Sequence, residues 1–208
     1  AGGSYAARGE EALRQCAKQE RQSVVQAATT LREAGLPCPV VSVGSTPTAH
    51  YATDLTGVTE VRAGVFVFFD LVMAGIGVCQ VEDIALSVLA TVIGHQREKG
   101  WILVDAGWMA MSQDRGTSKQ AVNQGYGIVC DSSGRPYDNL ILSDANQEHG
   151  IITVRPGSGG SLPDLKIGDR VRILPNHACA TGAQHCSYHV VRGSSDVVHG
   201  EWQRFGGW

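Results

Sequence analysis

The hydrophobic pattern of the chain changes from helical spacing near its start to short strand-like runs later on. In residues 9–34, acidic residues come early and Gly35 follows the last turn directly. This pattern predicts a long amphipathic helix that ends at Gly35. The apolar positions at helical spacing are Leu13, Ala17, Val24, Ala28 and Leu31.

Two short apolar runs follow this helix, and each of them stops at a glycine. Residues 40–43 stop at Gly44 and open into a loop of small hydroxyl residues, and the run "VTEVR" stops in the same way before Gly64. A long helix followed by buried strands with glycine-rich ends is typical of the later part of a β/α barrel. Active sites of such barrels lie where the strands end.

After about residue 80 the pattern becomes that of a mainly antiparallel β domain. Strand-like runs are separated by clusters of Gly, Pro, Asp and Ser, and residues 155–169 are so rich in Gly, Pro and Ser that we expect a surface loop. The sequence therefore predicts an α/β part in residues 1–79 and an all-β domain in residues 80–208. The strand-like runs are IALSVLATVIG, GWILVDAG, YGIVCD, NLILSD, GIITVRP, DRVRILP and YHVVRG.

Composition and charge narrow the classes of function. With 208 residues, of which 43% are hydrophobic and 18% charged, the chain can bury a core in one or two domains. The net charge of -3 gives no basic surface for nucleic acid, and no apolar run is as long as a membrane-spanning helix. The 6 cysteines lack the spacing of a disulfide framework. We therefore expect a cytoplasmic protein with reduced thiols that binds neither nucleic acid nor membranes.

Small residues at the ends of the two early strands are candidates for binding a phosphate. Ser45 and Thr46 offer hydroxyls and backbone N–H groups after the first strand, and Gly64 with Val65 forms a similar end on the next. Each loop taken alone is also compatible with an ordinary turn. Two such loops at neighbouring strand ends favour a phosphate more than either does alone.

Arg62 and Trp108 are two further candidates for contact with a ligand, and each could instead have a purely structural role. Arg62 would project from the same strand as Gly64, where its guanidinium could meet a ligand or pair with Glu60. Trp108 follows an apolar strand and could contact a cofactor or a dimer partner. It could equally be a large residue of the core or of an interface.

The segment "PNHAC" contains a candidate pair of metal ligands, His177 and Cys179. On an extended segment, side chains two positions apart point to the same side and can share one cation. An imidazole with a thiolate favours a borderline metal such as zinc over magnesium, and two ligands leave positions open for water or substrate. An accidental pairing is the alternative. The nearby His185, Cys186 and His189 are either additional ligands or ordinary structural residues.

Taken together and in this order, five motifs resemble the family of D-threonine aldolases and D-serine dehydratases, which have the alanine-racemase type of pyridoxal-phosphate fold (fold type III). The resemblance covers nearly the whole chain. It implies the C-terminal part of a β/α (TIM-like) barrel followed by a mainly antiparallel β domain, with pyridoxal phosphate at the barrel mouth and a divalent metal (Zn, or Mn or Mg) beside it. The motifs are VSVGSTPTA, TEVRAGVFVFFD, VDAGWMA, NQEHG and PNHACAT.

The resemblance also implies a role for each candidate residue. His177 and Cys179 would be the metal ligands and would act in catalysis through the metal. Trp108 would lie near the cofactor, across the interface of a homodimer. The cofactor contacts would be Ser45, Thr46, Arg62, Gly64, Val65 and Trp108.

The activity implied is that of a lyase acting on small D-β-hydroxy amino acids. The first hypothesis is retro-aldol cleavage of the D-threonine aldolase type, which gives glycine and an aldehyde. It is favoured by the opening "AGGSYAA", which resembles the "AGHSY" of the aldolase branch with Gly3 at the histidine position. One alternative is a D-serine or 3-hydroxy-D-aspartate dehydratase that works by metal-assisted β-elimination. Another is a non-catalytic module that binds a metal or forms a dimer.

One expected residue of the family has no match in the chain. The resemblance places the Schiff-base lysine in an N-terminal motif near the first barrel strand, and no lysine here has that context. We therefore expect the chain to be the C-terminal portion of a longer enzyme. The lysines present are Lys18, Lys99, Lys119 and Lys166.

Overall fold

The computed structural model describes residues 2–62 and 64–206 of the chain. Their packing forms two units, the first comprising Ala1–Phe69 and Met73–Asp83, the second Asp70–Val72 and Ile84–Trp208. The domain limits expected from the sequence, 1–79 and 80–208, stay a prediction. Among the helices of the described residues, none has the length and apolar character needed to cross a membrane.

The first unit begins with the predicted long helix, α1 (Glu10–Glu33). Leu13, Ala17 and Ala28 are buried as the spacing predicts, whereas Leu31 in the last turn is exposed. Acidic side chains in the first turn complement the positive end of the helix dipole. After the helix, Gly35 has a φ of 76°, the left-handed conformation in which helices commonly end.

A pair of short parallel strands follows, β1 (Ser42–Val43) and β2 (Glu60–Val61). The helix α2 (Thr46–Tyr51) comes after β1, and α3 (Leu71–Gly75) lies further along the chain. Parallel pairing with an intervening helix is the arrangement expected for a β/α barrel. The strands are shorter than the apolar runs that predicted them.

The second unit is built on a closed barrel in which every neighbouring pair of strands is antiparallel. The predicted antiparallel β domain is therefore confirmed. Around the barrel the strands lie in the order β3-β4-β7-β6-β5-β8. Their bounds are β3 (Val88–Gln96), β4 (Trp101–Val104), β5 (Gly127–Cys130), β6 (Pro136–Ala145), β7 (Gly150–Val154) and β8 (Arg170–Pro175).

The barrel interior is filled by alternate residues of these strands. In β3, for example, Val88, Ala90 and Val92 are buried while Leu89 is 57% exposed, because successive side chains of a strand point to opposite faces. Closure also gives every strand of the barrel a hydrogen-bonded neighbour on both sides. The other buried apolar residues of this core are Ile102, Val104, Ala106, Met111, Val129, Leu140, Leu142, Ile152, Val171 and Ile173.

Further elements of the second unit include two short α-helices and a hairpin. The helices are α4 (Trp108–Met111) and α5 (Ala178–Gly182), and the hairpin strands are β9 (Ser187–Val190) and β10 (Gly200–Gln203). Residues 155–169 contain neither helix nor strand, which agrees with the predicted loop. The aromatic residues of "EWQRFGGW", residues 201–208, predict an interface, and the last two of these residues lie outside the described part of the chain.

Candidate cofactor and metal sites

Thr46 and Gly64 are brought together in the first unit. Thr46 is the first residue of α2 and is 4% exposed, and its Oγ1 accepts a hydrogen bond from the backbone N–H of Phe66 at 3.1 Å. A Cβ atom on Gly64 would lie 3.2 Å from the same Oγ1. The two loops proposed to hold a phosphate therefore meet around one hydroxyl, a group that can both accept and donate hydrogen bonds.

Ser45 and Val65 flank this pair. The Oγ of Ser45 lies 3.1 Å from the Oγ of Ser4, which is itself buried. Val65 is buried and begins a 3-10 turn that ends at Val67. The Ser45 hydroxyl is thus oriented by a residue of the opening motif, and the Val65 side chain anchors the loop that carries Gly64.

Arg62 lies directly after β2 and reaches across to β1. Its Nη1 donates to the Oγ of Ser42 at 2.5 Å, and its Nη2 donates to the carbonyl oxygen of Gly44 at 3.5 Å. The Ser42 hydroxyl in turn donates to Glu60. Ser42 therefore links Arg62 to Glu60, so the direct Arg–Glu contact considered from the sequence is replaced by a bridge through a hydroxyl.

These residues fit a cofactor that carries a phosphate, such as pyridoxal phosphate. Hydroxyls and backbone N–H groups are the donors that bind phosphate oxygens, and Arg62 adds a positive charge on the same strand pair. The lack of a side chain at Gly64 keeps space beside Thr46, since a Cβ there would be in tight contact with Oγ1. The structure thus brings Ser45, Thr46, Arg62, Gly64 and Val65 into one region of the first unit.

In the second unit, the loop that carries Trp108 is bound to the loop after β6. Trp108 is half-buried at the start of α4. A Cβ atom on Gly107 would lie 2.3 Å from the carbonyl oxygen of Asn146, so the two backbones are in direct contact. Three backbone hydrogen bonds join the loops. The N–H groups of Gly107, Trp108 and Met109 donate to the carbonyl oxygens of Glu148, Asn146 and Gln147, respectively.

His177 and Cys179 lie just after β8, and their backbone is not extended throughout as the sequence analysis assumed. His177 has an extended conformation, with φ −136° and ψ 107°, but helix α5 begins at Ala178 and so Cys179 belongs to its first turn. The helix starts there because the buried carboxylate of Asp70 accepts the backbone N–H of Ala178 at 2.9 Å. The expectation of an extended segment was therefore wrong.

The side chains of His177 and Cys179 nevertheless meet. A hydrogen bond donated by the imidazole to Cys179 is the main reason why the pKa of His177 is raised from 6.5 to about 9, and a second bond, to Asp114, acts in the same direction against the opposing effect of burial. The second bond joins His177 Nδ1 to Asp114 Oδ2 over 2.7 Å. Metal binding to His177 would require the loss of one of the two protons that its ring carries below this pKa.

Asn176, the residue before His177, is held in place by hydrogen bonds of its side chain and its backbone. It is 2% exposed, and its side chain accepts from the hydroxyl of Thr117 at 2.6 Å and donates to the carbonyl oxygens of Gly125 and Asp114. Its own carbonyl oxygen accepts the N–H of Val72. With Asn176 on one side and the capped Ala178 on the other, the backbone of His177 is held at both neighbours.

The donors at His177 and Cys179 fit a borderline divalent metal. An imidazole and an exposed thiol are adjacent, and the Nδ1 of the ring is already engaged by a carboxylate. Within the described residues, no group of three or more His, Cys, Asp or Glu side chains is placed to hold a metal. His185 is hydrogen-bonded through Nε2 to the carbonyl oxygen of Ala110, a contact that favours the structural alternative for this residue.

Sequence reasoning missed Asp114, Asn176 and Asp70. Asp114 stands in "SQDRG", an Asp with Gly two positions later, which indicates a turn but not a histidine partner. Asn176 and Asp70 carry no local signal, since their partners come from distant parts of the sequence.

Comparison with known proteins identifies the family. The family model described as "Putative serine dehydratase domain" matches residues 85–191, a range that includes the barrel strands and the His177–Cys179 segment. The chain belongs to the D-serine dehydratase family. The family predicted from the motifs is thereby confirmed.

Two curated relatives illustrate the range of the family. A D-threo-3-hydroxyaspartate dehydratase from Delftia sp. strain HT23 is 59% identical over 210 residues, which cover 100% of this chain and 55% of that protein. A D-serine dehydratase from Dictyostelium discoideum is 33% identical over 177 residues, 81% of this chain and 43% of the relative. A D-threonine aldolase from Arthrobacter sp. is more distant, at 28% identity over 181 residues. This D-serine dehydratase family chain spans about half the length of the curated relatives it matches.

Solved structures confirm the predicted alanine-racemase type of fold. The Delftia enzyme superposes with a TM-score of 0.90 at 58% identity, over 100% of this chain and 55% of that one. An alanine-racemase-like protein from Idiomarina loihiensis gives the same TM-score of 0.90 at 50% identity and the same coverage. Similar structures of D-threo-3-hydroxyaspartate dehydratase also include a variant with a cysteine replaced by alanine in a metal-free form, and a variant with a histidine replaced by alanine.

Proposed function

We propose that the complete protein is a pyridoxal-phosphate- and divalent-metal-dependent lyase that dehydrates D-threo-3-hydroxyaspartate by β-elimination. The observation that carries the proposal is the geometry after β8, where Asp114 holds the His177 ring over 2.7 Å and Cys179 follows two residues later in the first turn of α5. The 59% identity to the Delftia dehydratase over the whole chain supports the choice of substrate.

Each candidate residue has a part in this proposal. Bound pyridoxal phosphate withdraws electrons from Cα of an amino acid, and a divalent metal makes a β-hydroxyl a better leaving group. His177 and Cys179 hold the metal and so orient the hydroxyl of the substrate. Trp108 would lie near the cofactor, across the interface of a homodimer. Ser45, Thr46 and the backbone of Gly64 and Val65 would hold the phosphate, and Arg62 would lie near the pyridine ring.

The net reaction can be written in balanced form. Elimination removes a proton from Cα and hydroxide from Cβ, which together leave as water, and hydrolysis of the released enamine consumes one water. The net products of D-threo-3-hydroxyaspartate are therefore oxaloacetate and ammonia. D-serine would give pyruvate and ammonia by the same route.

Retro-aldol cleavage, the first hypothesis from the sequence, is the second candidate. It is supported by the similarity to the Arthrobacter D-threonine aldolase, at 28% identity. The same cofactor and metal contacts serve both reactions, because each requires electron withdrawal at Cα and a bound β-hydroxyl. The bond that breaks would be Cα–Cβ, and D-threonine would give glycine and acetaldehyde.

The products separate these activities. The complete protein, loaded with pyridoxal phosphate and zinc, is incubated with D-threo-3-hydroxyaspartate, D-serine and D-threonine, and ammonia, oxo acids, glycine and aldehydes are measured. Ammonia with an oxo acid supports the dehydratase, and glycine with an aldehyde would move the assignment to the aldolase. If neither set of products forms, the chain is part of a non-catalytic module.

A matched pair of variants tests the metal ligands. Cys179 and Cys186 are both exposed thiols near α5, and Cys179 is the one that raises the pKa of His177. We expect Cys179→Ala to abolish the metal-dependent activity and Cys186→Ala to keep it. Full activity of Cys179→Ala would remove this residue from the metal site.

The proposal also covers the identity of the metal and the oligomeric state of the protein. Zinc is favoured over manganese or magnesium because one of the two ligands is a thiolate. The predicted homodimer in the cytoplasm is tested by light scattering of the complete protein and by cell fractionation. A monomer with full activity would contradict the proposed place of Trp108 at a dimer interface.

A further inference from the structure

We propose that the carboxylate of Asp114 is a positioning residue that orients the His177 ring for metal binding. The inference rests on the proposed function, because it assumes that His177 and Cys179 bind a divalent metal. Asp114 would contact neither the metal nor the substrate, and would act only through His177.

Both oxygens of the Asp114 carboxylate have defined partners. Oδ2 lies 2.7 Å from His177 Nδ1, and Oδ1 accepts the backbone N–H of Gly116 at 2.8 Å. An ionised carboxylate can only accept hydrogen bonds, so Nδ1 must carry the proton of the neutral ring. The lone pair of the ring is then on Nε2, which is the nitrogen left to bind a metal.

The backbone of Asp114 is fixed to the segment that carries His177. The carbonyl oxygen of Asp114 accepts from the side chain of Asn176 at 3.3 Å, and its N–H donates to the Oγ of Ser112 at 3.2 Å. Two neighbouring residues, Asn176 and His177, therefore hold Asp114 through separate bonds. This double connection sets the plane of the imidazole ring before any metal arrives.

Crowding around Gly116 further restricts the carboxylate. A Cβ atom on Gly116 would lie 3.1 Å from Asp114 Oδ1 and 2.7 Å from a methyl group of Val72. The glycine allows its N–H to approach Oδ1 closely, so that Oδ2 is the oxygen turned toward His177. The turn is thus built to present one carboxylate oxygen in a fixed direction.

Asp131 provides a matched comparison within the same unit. Its Oδ1 also accepts the N–H of the residue two positions later, Ser133, and its side chain is 31% exposed against 33% for Asp114. Its ionic partner, however, is Arg135 and not a histidine. A substitution of Asp131 therefore removes a carboxylate from a similar turn without touching the metal ligands.

The test compares zinc affinity in the complete protein for Asp114→Ala, Asp114→Asn and Asp131→Ala. Affinity is measured by competition with a chromophoric chelator, and circular dichroism checks folding. We expect Asp114→Ala to weaken zinc binding by about 10- to 100-fold, the usual effect of losing the partner of a metal-bound histidine. Asp114→Asn should give a smaller loss, since the amide oxygen can still accept a bond, and Asp131→Ala should bind zinc as the wild type does.

Cobalt substitution gives a second measurement that a merely structural role would not change. Loss of the carboxylate should shift the ligand-field bands of bound cobalt, while the charge-transfer band of the Cys179 thiolate remains. If Asp114→Ala does not fold, Asp114→Asn decides: unshifted cobalt bands and unchanged zinc affinity would overturn the proposal.

The remaining outcomes are also distinct. Wild-type affinity in a folded Asp114→Ala protein, or an equal loss in Asp131→Ala, would overturn the positioning role and leave the proposed activity untouched. A wild-type protein that binds no zinc, cobalt or manganese would instead remove the metal site of the proposed function, and this inference with it.

Discussion

A Cβ atom on Gly107 would lie 2.3 Å from the carbonyl oxygen of Asn146, which also accepts the N–H of Trp108 at 2.9 Å. The loop before α4 and the loop after β6 are therefore in backbone contact at a point where a side chain has no space. The conformation of Gly107 itself, with φ −89°, is open to any residue, so the constraint is one of volume alone.

Gly107→Ala should therefore destabilise the second unit. Inserting a methyl group into this contact must separate the two loops, and overpacking of this kind typically costs about 1–3 kcal/mol in the free energy of unfolding. The measurement is urea denaturation of the complete protein. Gly159→Ala is the control, because a Cβ at Gly159 meets nothing within 4 Å. Equal midpoints for the two variants would show that the loops can separate freely.

Thr46→Val should weaken the binding of pyridoxal phosphate. The substitution keeps the shape of the buried side chain but removes the hydroxyl around which the Thr46 and Gly64 loops meet. Loss of one charge-assisted hydrogen bond of about 1.5–3 kcal/mol predicts an affinity lower by roughly 10- to 150-fold, measured from cofactor absorbance. Thr46→Ser retains the hydroxyl and should bind nearly as well as the wild type. Unchanged binding by Thr46→Val would exclude this side chain from the phosphate site.

The cysteines of the second unit should differ sharply in reactivity. Burial raises the pKa of the Cys130 thiol to about 12, so that at pH 8 only about one thiol in ten thousand is ionised. Cys179 and Cys186 are exposed. We expect iodoacetamide to label both exposed thiols in the metal-free protein, to label Cys130 only after denaturation, and to spare Cys179 once zinc is added. Mass spectrometry locates the labels, and equal labelling of Cys179 with and without zinc would contradict the ligand assignment.

Metal affinity should rise with pH up to about pH 9. The pKa of His177 is raised from 6.5 to about 9, mainly by Cys179 and to a lesser extent by Asp114. The metal-free fold therefore favours the protonated imidazole. That contribution to stability is complete below pH 6.5 and is lost as the pH rises toward 9. Because a metal displaces this proton, zinc affinity should increase about tenfold per pH unit between pH 7 and 9 and then level off. Chelator competition across this range measures the slope, and a flat profile would show that no proton is displaced.

The elements that the sequence predicted well are those with local patterns. The helix α1 follows from the spacing of residues such as Leu13 and Ala17, and strand β3 follows from the alternation of Val88, Ala90 and Val92. The strand β10 was missed because its residues, Gly200–Gln203, are all exposed and show no alternation. Closure of the barrel was also not predicted, since it depends on pairs such as Ile128 with Leu174 that lie far apart in the sequence.

In the candidate sites, too, local features could be predicted and features that depend on distant residues could not. The spacing of His177 and Cys179 is visible in the sequence, but the conformation that joins their side chains depends on Asp70, whose carboxylate starts α5 from 108 positions away. Asp114 is 63 positions from the histidine that it contacts. Ligand identity can be predicted from neighbouring residues, whereas ligand orientation depends on contacts that only folding creates.

The position of β8 in the barrel has a consequence for the kinetics of metal exchange. This strand, which leads directly into Asn176 and His177, is paired on one side with β3 and on the other with β5. Local fraying of the segment would require two hydrogen-bonded ladders to open together, which makes backbone opening an unfavourable route for metal release. Exchange should instead proceed by rotation of the exposed Cys179 side chain, at a rate set by competing thiols and chelators in solution and insensitive to mild denaturant.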